Sequence, residues 1–179
     1  MLQAFPSSPL GNNRMRDIFV PGVGMTCFGV HAEKTSGDLA RQPAHLAKQD
    51  AAGDPDTVNA VFYANTAQGA REGQHALCGQ HALLPIGMES APTFNIGDAW
   101  ARSAAPLHLA FVQVAGGPAD VALAVGAEKL HTDDRAKRLA IFAQPPDMAG
   151  VTDFVRGRGV ARGPGANRPL FPLLPSANP

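Results

Sequence analysis

The sequence predicts an α/β fold built around a mainly parallel sheet, and three observations support this prediction. Short apolar runs rich in β-branched residues alternate with helix-length segments, a pattern typical of βαβ units. The apolar run at residues 121–125 is continuous, as expected of a strand buried on both faces. Of the 179 residues, 45% are hydrophobic and 17% are charged, enough for one domain with a core and too apolar for a disordered chain.

The individual elements follow from local signals. Thr35 or Ser36 can cap a first helix that runs towards Ala52, since Ser and Thr are preferred N-cap residues. The remaining helices are predicted from their patterns at residues 74–84, 99–115 and 133–142. Strands are predicted at residues 18–23, 58–63, 93–96 and 121–125.

The chain divides into three parts. Residues 1–14 contain no acidic residue and lack the apolar stretch of a secretory signal, so we expect a disordered extension ahead of a second methionine, Met15. Residues 15–142 hold the predicted elements. Residues 143–179 form an irregular tail rich in Pro, Gly and Arg: from Arg156 onward there are four arginines, five prolines and no acidic residue.

Composition excludes several classes of partner. The formal net charge is zero, which gives no reason to expect a nucleic acid or an anionic membrane surface. No apolar run reaches the roughly 18 residues that a membrane span needs. The two cysteines, Cys27 and Cys78, form no CxxC pair, so we expect free thiols and a cytoplasmic, reducing location.

Three groups of residues could take part in binding or catalysis, and each also has a purely structural explanation. Gly22-x-Gly24 lacks the third glycine and the acidic residue of a dinucleotide fingerprint. The near-duplication GQHALCGQHALL at residues 73–84 offers a Cys–His nucleophile or a metal site, but we expect a packed helix with an inert thiol, since a fourth ligand is missing. The third group, His131, Asp133 and Asp134, is explained by the solvent-exposed start of a predicted helix. The residues involved in the last two are His75, Cys78, His81, His131, Asp133 and Asp134.

Four segments of the chain have distinctive sequences: MRDIFVPGVGMTCFG (15–29), SGDLA (36–40), GQHALCGQHALLPIGM (73–88) and PTFNIGDAWARSAAPLHLAFVQVAGGPADVALAVGAEKL (92–130). The fourth is the most specific, because LHLA is followed by a predicted helix and then by DVALAVGAEKL. Together these segments resemble the thiolase superfamily, and within it the sterol-carrier or lipid-transfer type.

The resemblance implies an incomplete N-terminal half of an αβαβα enzyme that is usually dimeric. Such enzymes transfer acyl groups to and from coenzyme A, which is their thioester substrate, and they need no resident cofactor or metal. Their nucleophile is a cysteine, because thioester exchange needs a thiolate.

The chain departs from the family at the nucleophile. The family stretch resembles NACASGSAALHLA, whereas residues 98–110 read DAWARSAAPLHLA. Trp100 stands at the cysteine position, and an indole cannot form an acyl-enzyme. Arg102 and Pro106 also break the pattern of this helix, and Pro43 breaks that of the first helix. We therefore predict no catalytic residue, and we assign no coenzyme A-binding residue.

Three readings remain open. The first is a working acyl-CoA acyltransferase, and Trp100 at the nucleophile position argues against it. The second is an inactive, truncated thiolase fragment that binds a full-length thiolase chain, a lipid or an acyl-CoA; half of a layered structure would leave an apolar face uncovered. The third is the product of a frame-shifted reading frame, suggested by the loss of acidic residues after Asp153.

Overall fold

The computed structural model describes residues 1–4, 16–52, 57–97 and 104–134. The chain forms two compact units, Met1–His131 and Thr132–Pro179, and the elements below belong to the first. The described strands are β1 (Leu2–Ala4), β2 (Ile18–Phe19), β3 (Ala60–Ala64), β4 (Thr93–Ile96) and β5 (Val121–Gly126). The described helices are α1 (Ser36–Asp50), α2 (Gln68–Glu72), α3 (Cys78–Leu83) and α4 (Ala104–Ala115), and a 3-10 turn follows α3 at Leu84–Ile86.

The five described strands form one mixed sheet in the order β2-β1-β5-β3-β4. Strand β3 is parallel to both β4 and β5, with Phe62 opposite Phe94 on one side and Ala124 on the other. Strand β1 is antiparallel to β2 and to β5. The strands predicted at 58–63, 93–96 and 121–125 therefore supply the parallel part of the sheet, and the antiparallel part comes from the N-terminal residues.

The first residues of the chain differ from the expectation of a disordered extension over residues 1–14. Leu2–Ala4 form strand β1, and the side chain of Leu2 is buried. The α-amino group of Met1 donates a hydrogen bond to the carbonyl oxygen of Gly22 at 3.0 Å. A short strand paired on both edges satisfies its backbone groups, and this stabilises residues whose composition gives no strand signal. Residues 5–15 lie outside the described part of the chain.

Strand β2 is shorter than the predicted strand at 18–23 because the chain turns onto helix α1. A Cβ atom on Gly22 would lie 2.1 Å from the carbonyl oxygen of Ala47, and one on Gly24 would lie 2.1 Å from that of Pro43. Only glycine allows so close an approach of two backbones. The glycine pair that partly matches a nucleotide-binding fingerprint is thus explained by packing against α1.

Helix α1 begins where the sequence predicts. The side chain of Thr35 accepts a hydrogen bond from the amide of Asp38, and Asp38 accepts one from the amide of Thr35, which together form a capping box. Pro43 lies inside the helix and has no N–H to donate to the carbonyl of Leu39. The hydroxyl of Thr26 donates to that carbonyl at 3.1 Å, so a loop side chain replaces the missing hydrogen bond.

The predicted helix at 74–84 is only half present. Helix α3 takes residues 78–83, and the first copy of the duplicated hexapeptide is a loop up to Leu77. A separate helix, α2, precedes it and ends at Gly73, which has a left-handed φ of 73°. Sequence reasoning missed α2, since no apolar periodicity marks its five residues.

Helix α4 covers the predicted helix at 99–115 from Ala104 onward, and residues 98–103 lie outside the described part of the chain. Pro106 is buried in α4, close to the point where the described part of this helix begins. The effect of Pro106 on the helix stays a prediction, because the residues that precede Ala104 are not among those described. The predicted helix at 133–142 lies outside the described residues, apart from Asp133 and Asp134.

The core has two layers, one on each face of the sheet. Alternate residues of β3 point to opposite faces, with Val61 and Tyr63 in one cluster and Ala60 and Phe62 in the other. Helices α1 and α3 cover the first face, and α4 covers the second. Among the described residues, no helix has the length and hydrophobicity to cross a bilayer.

Candidate functional site

The carboxyl ends of β3, β4 and β5 meet at one edge of the sheet, because these three strands are parallel. In open α/β sheets this edge is where ligands bind. The chain leaves β3 at Asn65, β4 at Gly97 and β5 at Ala127. Trp100 and Arg102 follow β4 closely in sequence, but they lie outside the described residues.

Glu128 is the acidic side chain that follows β5, and its carboxylate is bound by the backbone. Its oxygens accept hydrogen bonds from the amides of Thr66 and Ala67, both at 3.0 Å. These amides precede helix α2, whose N-terminus favours a negative charge. Glu128 thus caps a helix and joins the loops after β3 and β5.

Asn65 and Lys129 reinforce the same edge. The Asn65 side chain donates to the carbonyl of Ala127 and accepts from the amide of Gln68 at 2.6 Å. The ammonium group of Lys129 donates to the carbonyls of Ala32, at 2.9 Å, and Lys34. The polar groups of this edge therefore bind the protein's own backbone, and they position the loop before α1. Sequence reasoning missed these residues, although their place directly after predicted strands was a usable signal.

A buried polar cluster lies beneath this edge. The hydroxyl of Tyr63, fully buried, donates to the side-chain oxygen of Gln68 at 2.9 Å. Burial raises the pKa of Tyr63 well above its usual range, and the nearby Cys78, Glu72 and Glu128 raise it further. Tyr63 is therefore held as a neutral donor, unsuited to general-base catalysis near neutral pH.

Cys78 begins helix α3 and belongs to the hydrophobic core, where it is 9% exposed. Its thiol donates to the carbonyl of Gln74 at 3.1 Å. Burial raises the pKa of the thiol above its usual range, and Glu72 acts in the same direction. Since the thiolate is the reactive form, this environment favours the inert thiol that the sequence analysis expected over a nucleophile.

The histidines of the duplicated segment are both exposed. The ring of His75 lies over Gly69 of α2, where a Cβ atom would approach its Nδ1 to 2.4 Å, and His81 lies on α3. No group of three or more His, Cys, Asp or Glu side chains suited to a metal ion occurs within residues 1–4, 16–52, 57–97 and 104–134.

The remaining candidates belong to other segments of the chain. Cys27 is exposed in the loop before α1, and its carbonyl is 2.8 Å from Nε2 of His31. The carbonyl of His131 accepts a hydrogen bond from Arg71 at 2.9 Å, so its backbone anchors α2. Asp133 and Asp134 belong to the second unit, in which the amide of Asp134 donates to the hydroxyl of Thr132 at 3.3 Å.

A cavity of about 230 Å³ opens where β1, α1 and β5 meet. Small and apolar side chains line it, among them Leu2, Val20, Ala44 and Leu123. None of the described residues around it has a charged side chain. It offers space for an apolar group, and Met1, which carries the charged α-amino group, is among the residues that line it.

Comparison with known families shows which family the chain belongs to. A model of the thiolase N-terminal domain matches residues 18–155, more than half of the chain. The chain belongs to the thiolase family. The resemblance noted in the sequence is thereby confirmed, and the matched part of this thiolase domain includes β2 to β5 and all four described helices.

Individual relatives agree with this assignment. Over 133 residues the thiolase domain is 33% identical to sterol carrier protein 2 of Homo sapiens, covering 69% of this chain and 22% of that relative. Over 139 residues it is 30% identical to the benzoylsuccinyl-CoA thiolase subunit BbsB of Thauera aromatica, covering 76% of this chain and 34% of that relative. The chain therefore spans about a fifth to a third of the length of these relatives.

A solved structure confirms the fold. The 3-oxoacyl-[acyl-carrier-protein] synthase III of Aquifex aeolicus VF5 superposes with a TM-score of 0.53 and 22% sequence identity, covering 64% of this chain and 38% of that one. The thiolase-like α/β fold expected from the sequence is therefore present as a partial domain.

Proposed function

We propose that this chain is a non-catalytic thiolase-family domain, which does not form an acyl-enzyme on a thiol of its own. Acyl transfer in the family needs a reactive cysteine thiolate. The chain has two cysteines, and neither belongs to α4 or to the segment between β4 and α4, where the resemblance puts the nucleophile. Trp100 stands at that position instead.

The observation that carries this proposal is the environment of Cys78. Its thiol is buried in the core, donates to the carbonyl of Gln74, and has a raised pKa. Cys27, the other thiol, lies in an exposed loop on a different segment of the chain. Neither environment suits a catalytic cysteine, whose thiolate has to lie in a pocket next to the bound thioester.

Exposure to acetyl-CoA tests the proposal. The full chain is incubated with acetyl-CoA, quenched at low pH and measured by intact mass spectrometry. We expect no acetyl adduct on Cys78. A Cys27→Ser variant removes the exposed thiol and with it any slow, non-enzymatic acylation. An adduct that persists in Cys27→Ser and disappears in Cys78→Ser would contradict the proposal.

A specific surface favours a second role, the binding of a full-length thiolase chain. Helix α4 packs Ala110 and Val114 against the sheet, yet its outward surface is mainly apolar as well, with His108 as an exposed polar residue. A helix that is apolar all round is normally buried. We name the exposed large apolar side chains on this side the α4 surface: Phe94, Leu107, Leu109, Phe111 and Val112.

The α4 surface can be tested directly. The full chain is mixed with a purified full-length thiolase and the elution volume is measured by size-exclusion chromatography with light scattering. We expect co-elution that Val112→Glu weakens, because a carboxylate would have to be desolvated in the contact. Gln42→Glu, an exposed change on α1, is the matched control and should leave co-elution unchanged. Equal behaviour of the two variants would contradict this role.

The proposal places the domain in the cytoplasm and gives it no resident cofactor or metal. Both cysteines are free, which suits a reducing compartment. A coenzyme A thioester enters only as the substrate or ligand of a thiolase that the domain accompanies, and the same holds for a dimeric thiolase partner.

A further inference from the structure

Strand β5 is longer than the strand that pairs with it on the β1 side. The pairing with β1 covers only Val121 and Ala122, whereas β5 itself continues to Gly126. On its other side, β5 is paired with β3 as far as Gly126. Within the described part of the chain, the last four residues of β5 therefore have a strand partner on one side only.

The open side of β5 carries backbone hydrogen-bonding groups at alternate residues. The amide of Ala127, directly after β5, donates to the carbonyl of Ala64 in β3 at 3.2 Å. Because the N–H and C=O groups of successive strand residues point to opposite sides, the odd-numbered residues of β5 bind β3. Ala124 and Gly126 direct their N–H and C=O groups to the open side, where no described residue pairs with them.

The cavity of about 230 Å³ continues the place of β1 along this open side. Strand β1 lies between β5 and β2, and it separates them by two strand spacings of about 4.7–4.9 Å each. The gap persists beyond the N-terminal end of β1. Its other walls are the segment after β2, helix α1 and the start of α4, represented by Val23, Ala44 and Leu107. We name the cavity and the open edge of β5 the β5 slot.

The β5 slot suits an extended polypeptide better than a hydrocarbon ligand. Ala124 and Gly126 each offer one donor and one acceptor to it. An extended chain that runs antiparallel to β5 presents a matching donor and acceptor at every second residue. A hydrocarbon would exclude water from these four groups without replacing the hydrogen bonds, which is unfavourable.

The walls also determine which side chains fit. A residue opposite Val125 points to the α1 side, because Val125 belongs to the core cluster on that face. Ala44 and Ala47 line this side, so a valine has room there. A residue opposite Ala124 points towards Leu107, which is 52% exposed, so a threonine can reach solvent. None of the described residues that line the slot has a charged side chain.

We propose that the β5 slot binds an extended, uncharged segment of a partner polypeptide, which lies antiparallel to β5 and continues the line of β1. Such strand addition takes its affinity from main-chain hydrogen bonds and its specificity from alternate side chains. Continuity with β1 favours this occupant, since the same edge of β5 already holds Leu2 opposite Ala122 in that arrangement. The site differs from the α4 surface, with which it shares only Leu107.

A labelled peptide tests the proposal. Fluorescein-Lys-Ser-Thr-Val-Thr-amide is titrated with the full chain, and its fluorescence anisotropy is measured. Its last three residues correspond in order to Gly126, Val125 and Ala124, and we expect saturable binding. N-methylation of the final threonine removes the N–H that donates to Ala124, and we expect at least ~10-fold weaker binding. N-methylation of the lysine, which lies beyond β5, is the matched control and should leave the affinity unchanged.

An extension of the chain itself fills the slot in a second experiment. Thr-Val-Thr placed ahead of Met1 continues β1 along β5. We expect this variant to lose peptide binding and to unfold at a higher urea concentration than the parent. Thr-Val-Pro is the matched control, because its proline lies opposite Ala124 and has no N–H to donate. We expect the control to unfold at a lower urea concentration than the Thr-Val-Thr variant.

Four results would overturn the proposal. The first is that the parent peptide does not bind. The second is equal affinity for the peptide N-methylated at the final threonine, which means that binding occurs elsewhere or involves side chains alone. The third is an equal unfolding midpoint for the two extended chains. The fourth is a dimer of the chain, detected by light scattering, that dissociates when the peptide is added, which assigns the slot to a second copy.

Discussion

Helices α1 and α3 cover one face of the sheet, and α4 covers the other, yet the outward surfaces of the two layers differ. Helix α1 presents Gln42, His45 and Gln49 to solvent, as a surface helix does. Helix α4 presents Leu107, Leu109, Phe111 and Val112. The outward side chains of helix α1 are thus mainly polar, whereas those of helix α4 are mainly apolar and suited to contact with a further layer of polypeptide.

Helix α1 depends on a loop contact to accommodate a proline. Pro43 lies in the middle of α1 and leaves the carbonyl of Leu39 without its helical donor, a loss that Thr26 compensates. The polar outward face of α1 is therefore combined with a helix interior that the loop before it helps to stabilise.

The largest expected effect comes from matched truncations on the two sides. Leu123→Ala removes a side chain that is 2% exposed in the cluster under α1 and α3, and we expect a loss of about 2–5 kcal/mol in the free energy of unfolding. Leu109→Ala removes one that is 41% exposed on α4, and we expect a loss of less than about 1 kcal/mol. Urea unfolding measures both. Equal losses would show that the α4 surface is as tightly packed as the core.

The next effect tests the close contact between the glycine turn and α1. In Gly22→Ala the new Cβ would lie 2.1 Å from the carbonyl oxygen of Ala47 and 2.8 Å from Cβ of Ala51. We expect a loss of about 1–3 kcal/mol, because backbone atoms must shift. Gly97→Ala is the control, since no atom of the described residues beyond its chain neighbours lies within 4 Å of its Cβ position. A similar free energy of unfolding for both variants would contradict the contact.

A smaller effect tests the compensation at Pro43. Thr26→Val removes the hydroxyl that donates to Leu39, and we expect a loss of about 1 kcal/mol in the free energy of unfolding. In a Pro43→Ala background the loss should shrink, because an alanine at this position restores an N–H for the same carbonyl. A double-mutant cycle by urea unfolding measures this coupling. Additive effects would mean that Thr26 stabilises the protein independently of the proline.

The smallest effect is the pH dependence of the α1 cap. Hydrogen bonds from the backbone and the hydroxyl of Thr35, with Arg41 nearby, lower the pKa of Asp38 below its usual value of 3.8. The cap therefore stabilises the fold above that value, and this contribution is lost as the pH falls through the lowered pKa.

The cap contribution is measured as the difference in unfolding free energy between the parent and Asp38→Asn. Since Asp38 is largely solvent-exposed, we expect roughly 0.3–0.5 kcal/mol at about pH 6 and a smaller value near about pH 3. A difference that does not change with pH would contradict the cap. Helix α4 has no acidic residue in its first described turn, so variants on that side should lack this dependence.

Much of the architecture was predictable from local sequence. The predicted strand at 93–96 coincides with β4, and β3 and β5 lie within about two residues of their predicted positions. The capping signal at Thr35 places the start of α1. The family resemblance was predictable too, since it depends on strings of residues rather than on contacts. Trp100 at the family's nucleophile position follows from the sequence alone.

The polar edge of the sheet was not predictable in detail. Glu128 and Lys129 form hydrogen bonds with the backbone of segments about 60 and 95 residues away. No local sequence pattern indicates contacts between residues so far apart in the chain. Strand β1 was missed for the same reason, because three residues become a strand only when two neighbouring strands offer them hydrogen bonds.

The duplicated hexapeptide shows what the local sequence determines and what only tertiary contacts determine. The sequence determines that residues 73–84 hold two nearly equal helix-forming copies, and by itself it predicts one continuous helix. The tertiary structure makes only the second copy helical, because Asn95, Tyr63 and Thr93 form a single place that fits one glycine-led copy. Local propensity is a property of the residues, whereas the choice between equal segments depends on contacts that exist only in the folded protein.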